Sequence, residues 1–126
     1  HLTYVENTGA AFGILRDRRW IFMVLSAIAV IAIFVYLIVK CSQTPLFAGI
    51  ALSLIAAGGI GNMIDRIKVG YVVDFFDFTL IDFAVFNVAD SCVTVGSVLM
   101  IIYMIVSEIK AAKERKAEIP ADNKQE

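Results

Sequence analysis

From Trp20 to Val39 the chain runs for twenty residues without a charge, a glycine or a proline. At about 1.5 Å of rise per residue, a helix of that length crosses a hydrocarbon core of about 30 Å. Inside lipid a backbone must satisfy its own polar groups, which leaves helices and closed barrels as the only spanning structures. This stretch therefore predicts a transmembrane helix over 20–39. Composition agrees, with 60% hydrophobic residues and only 18% charged, beyond the apolar share of an ordinary globular domain. A net charge of -1 offers no basic surface for nucleic acid, which is excluded as a partner.

Two more spans follow. The run Lys40-Cys41-Ser42-Gln43-Thr44-Pro45 carries a charge, hydroxyls and a proline suited to a first helical turn, so it reads as a short loop. Residues 46–64 form a second span rich in Ala, Gly and Ser, small residues that let helices approach closely in lipid. Residues 65–85 mix Asp with Phe and suit the interface, with a turn at Val69-Gly70-Tyr71. A third span is expected over 86–106. Residues 1–107 then make one membrane-embedded domain, and 108–126 a charged tail that extends as a solvated helix and frays into disorder. Connectivity puts residues 1–19 and 65–85 on one side of the membrane, and Lys40 with the tail on the other. Five Lys and Arg on the first side against six on the second do not orient the chain. No basic run precedes an apolar stretch at the start, so no signal peptide is visible, and the absence of an initiator Met implies that the start is truncated. Cys41 and Cys92 form no C-x-x-C pair and read as free, buried small residues.

Against this apolar background a few polar residues stand out. A carboxylate inside a span costs about 2.5 to 3.5 kcal/mol on insertion scales, and Asp90 has that problem most clearly. Asn87 lies three residues before it on the same helical face, and Asn62 with Asp65 repeats the spacing one span earlier. Either Asn also suits a simple helix cap, and Asp65 beside Arg66 suits a structural ion pair. Asp74 sits among Val72, Val73, Phe75 and Phe76, surroundings that desolvate a carboxyl and raise its pKa. Asp77 and Asp82 alternate with Phe and read as solvated positions. With no histidine beyond His1 and no base beside either cysteine, a nucleophilic triad or a zinc site is not available. Paired carboxylates sharing one proton remain, able to act as base and acid on one water. Spacing alone favours Asp65 with Asp90. Amide hydrolysis at the membrane surface is the leading reading. The alternative is a proton- or cation-coupled carrier, which places its charges near the bilayer midplane rather than at span ends.

Four stretches in order carry a more specific signal: Asn7-Thr8-Gly9-Ala10-Ala11-Phe12-Gly13, Gly58-Gly59-Ile60-Gly61-Asn62-Met63-Ile64-Asp65-Arg66, Val72-Val73-Asp74-Phe75 and Phe86-Asn87-Val88-Ala89-Asp90-Ser91. Together they resemble the lipoprotein signal peptidase family (signal peptidase II), membrane aspartic proteases of bacteria, over about residues 2–106. The resemblance implies an all-α polytopic membrane bundle with a small extracytoplasmic β element, for which residues 2–5 are strand material, and a fourth helix preceding His1. It implies cleavage of a prolipoprotein before its diacylglyceryl-modified cysteine, by a monomer of the inner membrane in contact with membrane lipid, without metal or organic cofactor. The active site would lie near the extracytoplasmic face and the tail in the cytoplasm. The family's catalytic aspartates fall on Asp74 and Asp90. Asn62, Asp65 and Arg66 become supporting residues, as do Gly61, Asn87 and Ala89, while Asn7, Gly9 and Ala10 match a substrate-contacting element. Residues 75–85 correspond to a short surface helix and flap-like loop.

Overall fold

The computed structural model describes residues 1–8, 19–79 and 83–118. In chain order these form β1 (Leu2–Asn7), α1 (Arg19–Val39), a single 3-10 turn (Cys41–Gln43), α2 (Leu46–Lys68), β2 (Val72–Phe76) and α3 (Val88–Glu118). All three α-helices are long and apolar enough to cross a membrane. The chain is a multi-pass membrane protein, mostly helical, with a two-stranded sheet at one end.

Helix α2 is the middle member, packed against both α1 and α3. The residues buried in this small bundle are themselves small: Ala48, Ala51, Ala56 and Gly58 on α2, and Gly96 on α3. Lipid tails are as apolar as leucine, so bulky side chains gain little by turning inward, whereas small ones let two backbones meet and gain dispersion contact. A Cβ placed on Gly58 would collide with the Ala89 carbonyl oxygen, and one on Gly96 would sit 2.7 Å from the Ala51 carbonyl oxygen. On the other side Val30 of α1 is buried over Gly59, where an added Cβ would lie 3.0 Å from its Cγ2. The large apolar residues, such as Ile28, Ile31, Val98, Ile101 and Ile105, point outward to the lipid.

Helix α2 continues through Lys68, past the end expected at residue 64. The Val69 amide still donates to the Asp65 carbonyl at 2.9 Å, and Gly70 at φ 88° then adopts the left-handed conformation that a side chain disfavours, turning the chain into β2. β2 pairs antiparallel with β1, placing Asn7 opposite Val72 and Val5 opposite Asp74, with a register shift between Leu2 and Val5. The expected β element is therefore present, and it extends from the 2–5 segment to Asn7.

Three expectations need correction. The described part of 75–85 contains no helix, because Phe76 and Phe86 bridge the two ends of the segment, the Phe76 amide donating to the Phe86 carbonyl at 2.8 Å and the Phe86 amide returning at 3.1 Å. Helix α3 accordingly begins at Val88 rather than 86, and it runs on to Glu118 through Glu, Lys and Ala residues that favour helix. At 31 residues it is about 46 Å long, well beyond the hydrocarbon core. Cys41 is exposed in the 3-10 turn, not buried, since that turn sits between two span ends; Cys92 is half-buried on α3.

Alanine at Gly58 or Gly96 must push α2 and α3 apart, and is expected to destabilise the bundle by about 1–3 kcal/mol. Gly49, on the same helix, has open space around it. There alanine is expected to stabilise by about 0.4–1 kcal/mol through helix propensity. Thermal unfolding in detergent checks the pair of opposite signs.

Candidate active site

The start of α3 poses a physical problem that its residues solve. The first turn of any helix leaves backbone N–H groups without helical partners, and near lipid these cannot be left to water. Asn87 precedes Val88 as the cap. Its side-chain Oδ1 accepts the Asp90 amide at 3.0 Å, and the Asp90 Oδ2 in turn accepts the Asn87 amide at 3.2 Å. This is a reciprocal capping box with an aspartate in the third position, a cap of the kind worth about 1 kcal/mol. The Ser91 hydroxyl adds a bond to the Asn87 carbonyl at 3.0 Å. The cap and site readings of Asn87 and Asp90 thus describe the same atoms.

From this corner a chain of amides spreads across three elements. Asn62, near the end of α2, donates to the other Asp90 oxygen, Oδ1, at 2.7 Å. The Asn87 amide group donates to Asn62 Oδ1 at 3.1 Å and to Asp74 Oδ1 at 2.8 Å. Asn7 on β1 donates to Asp74 Oδ2 at 2.8 Å. Asp74 and Asp90 therefore lie in one hydrogen-bonded set, each with both carboxyl oxygens accepting. The sheet explains the first half of this: Val72 and Asp74 share one face of β2, and the register brings Asn7 alongside.

Asp74 is 2% exposed and Asn87 5%, the two buried polar residues among the described ones. Burial pushes the Asp74 carboxyl above the usual carboxylate range, as its apolar neighbours predict; the bonds from Asn7 and Asn87 pull it down, the Asp90 charge pushes it up, and Arg66 pulls it down. Arg66 donates through Nη1 to the Asn62 carbonyl at 3.2 Å, and its guanidinium lies 5.8 Å from the centre of the Phe22 ring on α1. One cation thus ties α1 to the acidic corner.

All of these groups but Asn87 line a cavity of about 570 Å³. Its polar wall holds Asn7, Asn62, Arg66, Asp74, Asp90 and Ser91, and its apolar wall comes from α1, α3 and the segment at 83–86. Of the residues singled out in the sequence, Gly61, Asp65, Asn87 and Ala89 lie off this wall, Asn87 reaching the site through its bonds to Asp74 and Asp90. A Cβ on Gly61 would lie 3.1 Å from that of Ala89, so this pair sets how closely α2 approaches the start of α3. Asp65 uses its backbone carbonyl to hold Val69. Gly9 and Ala10 lie outside the described residues, as does Asp82. Phe22 and Ser26 of α1 also line the cavity and were not anticipated. Their i, i+4 spacing, with Ser26 the one hydroxyl between Trp20 and Val35, was the available signal. Among the described residues no three His, Cys, Asp or Glu side chains converge to hold a metal.

Fold and site together define a multi-pass membrane protein with two hydrogen-bonded carboxyl groups, one buried and one half-buried, in a cavity at its helix ends. The sequence model for signal peptidase (SPase) II matches residues 1–106, and the chain belongs to that family of aspartic endopeptidases. It is 44% identical over 111 residues to a lipoprotein signal peptidase of Clostridioides difficile, covering 88% of this chain and 74% of that one. To the lipoprotein signal peptidase of Brevibacillus brevis it is 52% identical, covering 76% of this chain and 64% of the relative. The chain thus spans about two thirds to three quarters of these relatives. A bacterial membrane enzyme solved by the in meso method at 2.3 Å superimposes with a TM-score of 0.78 at 37% identity, covering 99% of this chain and 70% of the other. A second, solved at 1.9 Å, gives 0.71 at 44% identity, covering 82% and 67%.

A raised carboxyl has a definite sign in stability. The contribution of Asp74 is fully present below the ordinary value of about 3.9 and is lost as pH rises through its higher folded value. Asn7→Ala removes a donor that favours the ionised form, so the difference in melting temperature between it and wild type should widen from pH 4 to pH 8. A constant difference would show that Asn7 does not serve the charged form of Asp74.

Proposed function

We propose that the protein removes signal peptides from prolipoproteins by cleaving before the diacylglyceryl-modified cysteine, with Asp74 and Asp90 as the pair that activates water. The observation carrying this reading is that two carboxyl groups from different elements, β2 and α3, share one hydrogen-bond network and line one cavity at the ends of the spans. The names of the relatives supply the substrate class. In a proton-sharing pair, the buried and raised Asp74 holds the proton and Asp90 takes the role of base. Asp90 removes a proton from water as its oxygen attacks the scissile carbonyl carbon, and Asp74 donates to the carbonyl oxygen. The tetrahedral intermediate then collapses: one of its hydroxyls returns a proton to Asp74, the C–N bond breaks, and the proton held by Asp90 passes to the departing amine. A cation such as Arg66 beside the pair limits the cost of the negative charge that persists through the cycle.

Placement at the span ends suits a substrate anchored by its acyl chains. The lipid stays in the bilayer, where each buried CH2 contributes about 0.8 kcal/mol, while the peptide bond rests at the interface beside the carboxyls. Connectivity puts the cavity and Glu118 at opposite ends of α3, which fits a site at the extracytoplasmic face of a bacterial inner membrane and a tail in the cytoplasm. A carrier would hold its charges near mid-span, whereas Asp90 lies in the first turn of α3.

Asp74→Asn and Asp90→Asn are each expected to lower release of the signal peptide from a lipidated prolipoprotein by about 10²–10⁴-fold, the range of general acid–base catalysis. The assay is signal-peptide release in detergent or liposomes. Turnover near wild type in either variant contradicts the pair, and proton flux without cleavage would favour a carrier.

A further inference from the structure

Asn87 is bonded on every side, and the order of those bonds carries information. Its Oδ1 is occupied by the Asp90 backbone amide, a group that can only donate. This fixes which way round the side-chain amide sits: with the oxygen toward the helix start, the NH2 group must face Asp74 and Asn62, at 2.8 and 3.1 Å. Rotating the amide by half a turn would set two donors against each other at Asp90, and two acceptors against each other at Asp74 whenever it is ionised. Asn87 is 5% exposed, so water cannot repair such a mismatch.

We propose that Asn87 is the positioning residue of the aspartate pair, using the amide orientation imposed by the α3 cap to aim one donor at Asp74 while its own backbone amide holds Asp90. The inference rests on the reading of Asp74 and Asp90 as the reacting pair. It differs from a plain capping role in a way that substitution separates, because Ser and Asp cap helices about as well as Asn. Asn87→Ser keeps an acceptor for the Asp90 amide and loses the donor to Asp74. Asn87→Asp keeps the shape and the acceptor but replaces the donor with an acceptor. The other charged or titratable groups facing Asp74 are Asp90 from α3 and Arg66 from α2, and both are unchanged in these variants.

The test measures kcat and KM for signal-peptide release against pH, together with melting temperature, for the whole protein in detergent. Asn87→Ser should melt close to wild type, lose at least about tenfold in kcat with little change in KM, and move the alkaline limb of its pH profile upward, since a donor to ionised Asp74 is gone. Asn87→Asp should lose more at neutral pH and recover part of the loss in acid, where the added carboxyl becomes protonated and can donate. Asn87→Ala, which loses the cap as well, should melt lower than either. Wild-type kcat and pH profile in both capping variants would overturn the proposal. So would a loss that tracks melting temperature alone across the three variants. If instead Asp74→Asn and Asp90→Asn retain turnover, the aspartate reading itself has failed, whatever Asn87 does.

Discussion

The reciprocal bonds between Asn87 and Asp90 are the constraint on which the site depends. A helix that begins at the edge of a membrane must satisfy its first amides from its own side chains. Here the residue in the third position is an aspartate, so the group that completes the cap is also the group that carries a negative charge into the cavity. The positive end of α3 suits that charge. Stability and the proposed chemistry therefore draw on the same two side chains, and the donor from Asn62 holds the other oxygen of the carboxylate.

Close helix packing makes the second half of the site possible. Gly58, Gly61 and Ala89 let the end of α2 press against the start of α3, and that approach is what brings Asn62 within 2.7 Å of Asp90. Widening the seam by one methyl group would act directly on this bond. The sheet supplies the remaining acid: without β1, Asp74 would lose the Asn7 donor and the strand partner that holds it in place. Arg66, reaching Phe22, links the same corner to α1. Three helices and a two-stranded sheet meet at one polar point, and the spans otherwise present apolar surface to lipid.

Much of this was legible in the sequence, and what was missed has physical reasons. Hydropathy over 20–39, 46–64 and 86–106 finds the spans because lipid imposes a long apolar run on every crossing helix. Asp90 is conspicuous for the same reason. The pairing was another matter, since i, i+3 spacing makes Asp65 look equivalent to Asp90, and only tertiary packing shows that Asn62 and Arg66 line the cavity while Asp65 lies off its wall. The resemblance pointed to Asp74 where local spacing did not, because antiparallel pairing of two segments more than sixty residues apart leaves no periodic trace. Among the described residues of 75–85 the expected helix is absent and Phe76 bridges to Phe86, a contact between positions ten apart that composition does not encode. Phe22 and Ser26 were hidden by lying inside the most apolar span.

The central claim is that Asp74 and Asp90 form one electrostatically coupled pair. Infrared spectroscopy of protein labelled with carboxyl-13C aspartate follows the protonated carboxyl band as pH is raised, in wild type and in Asp90→Asn. The Asp90 charge is one of the causes holding Asp74 above the usual carboxylate range, so neutralising it must let Asp74 ionise at lower pH. A downward shift of the buried carboxyl titration in Asp90→Asn is the result this account predicts. An unchanged titration would mean that the two groups do not sense each other and that the site is not a dyad.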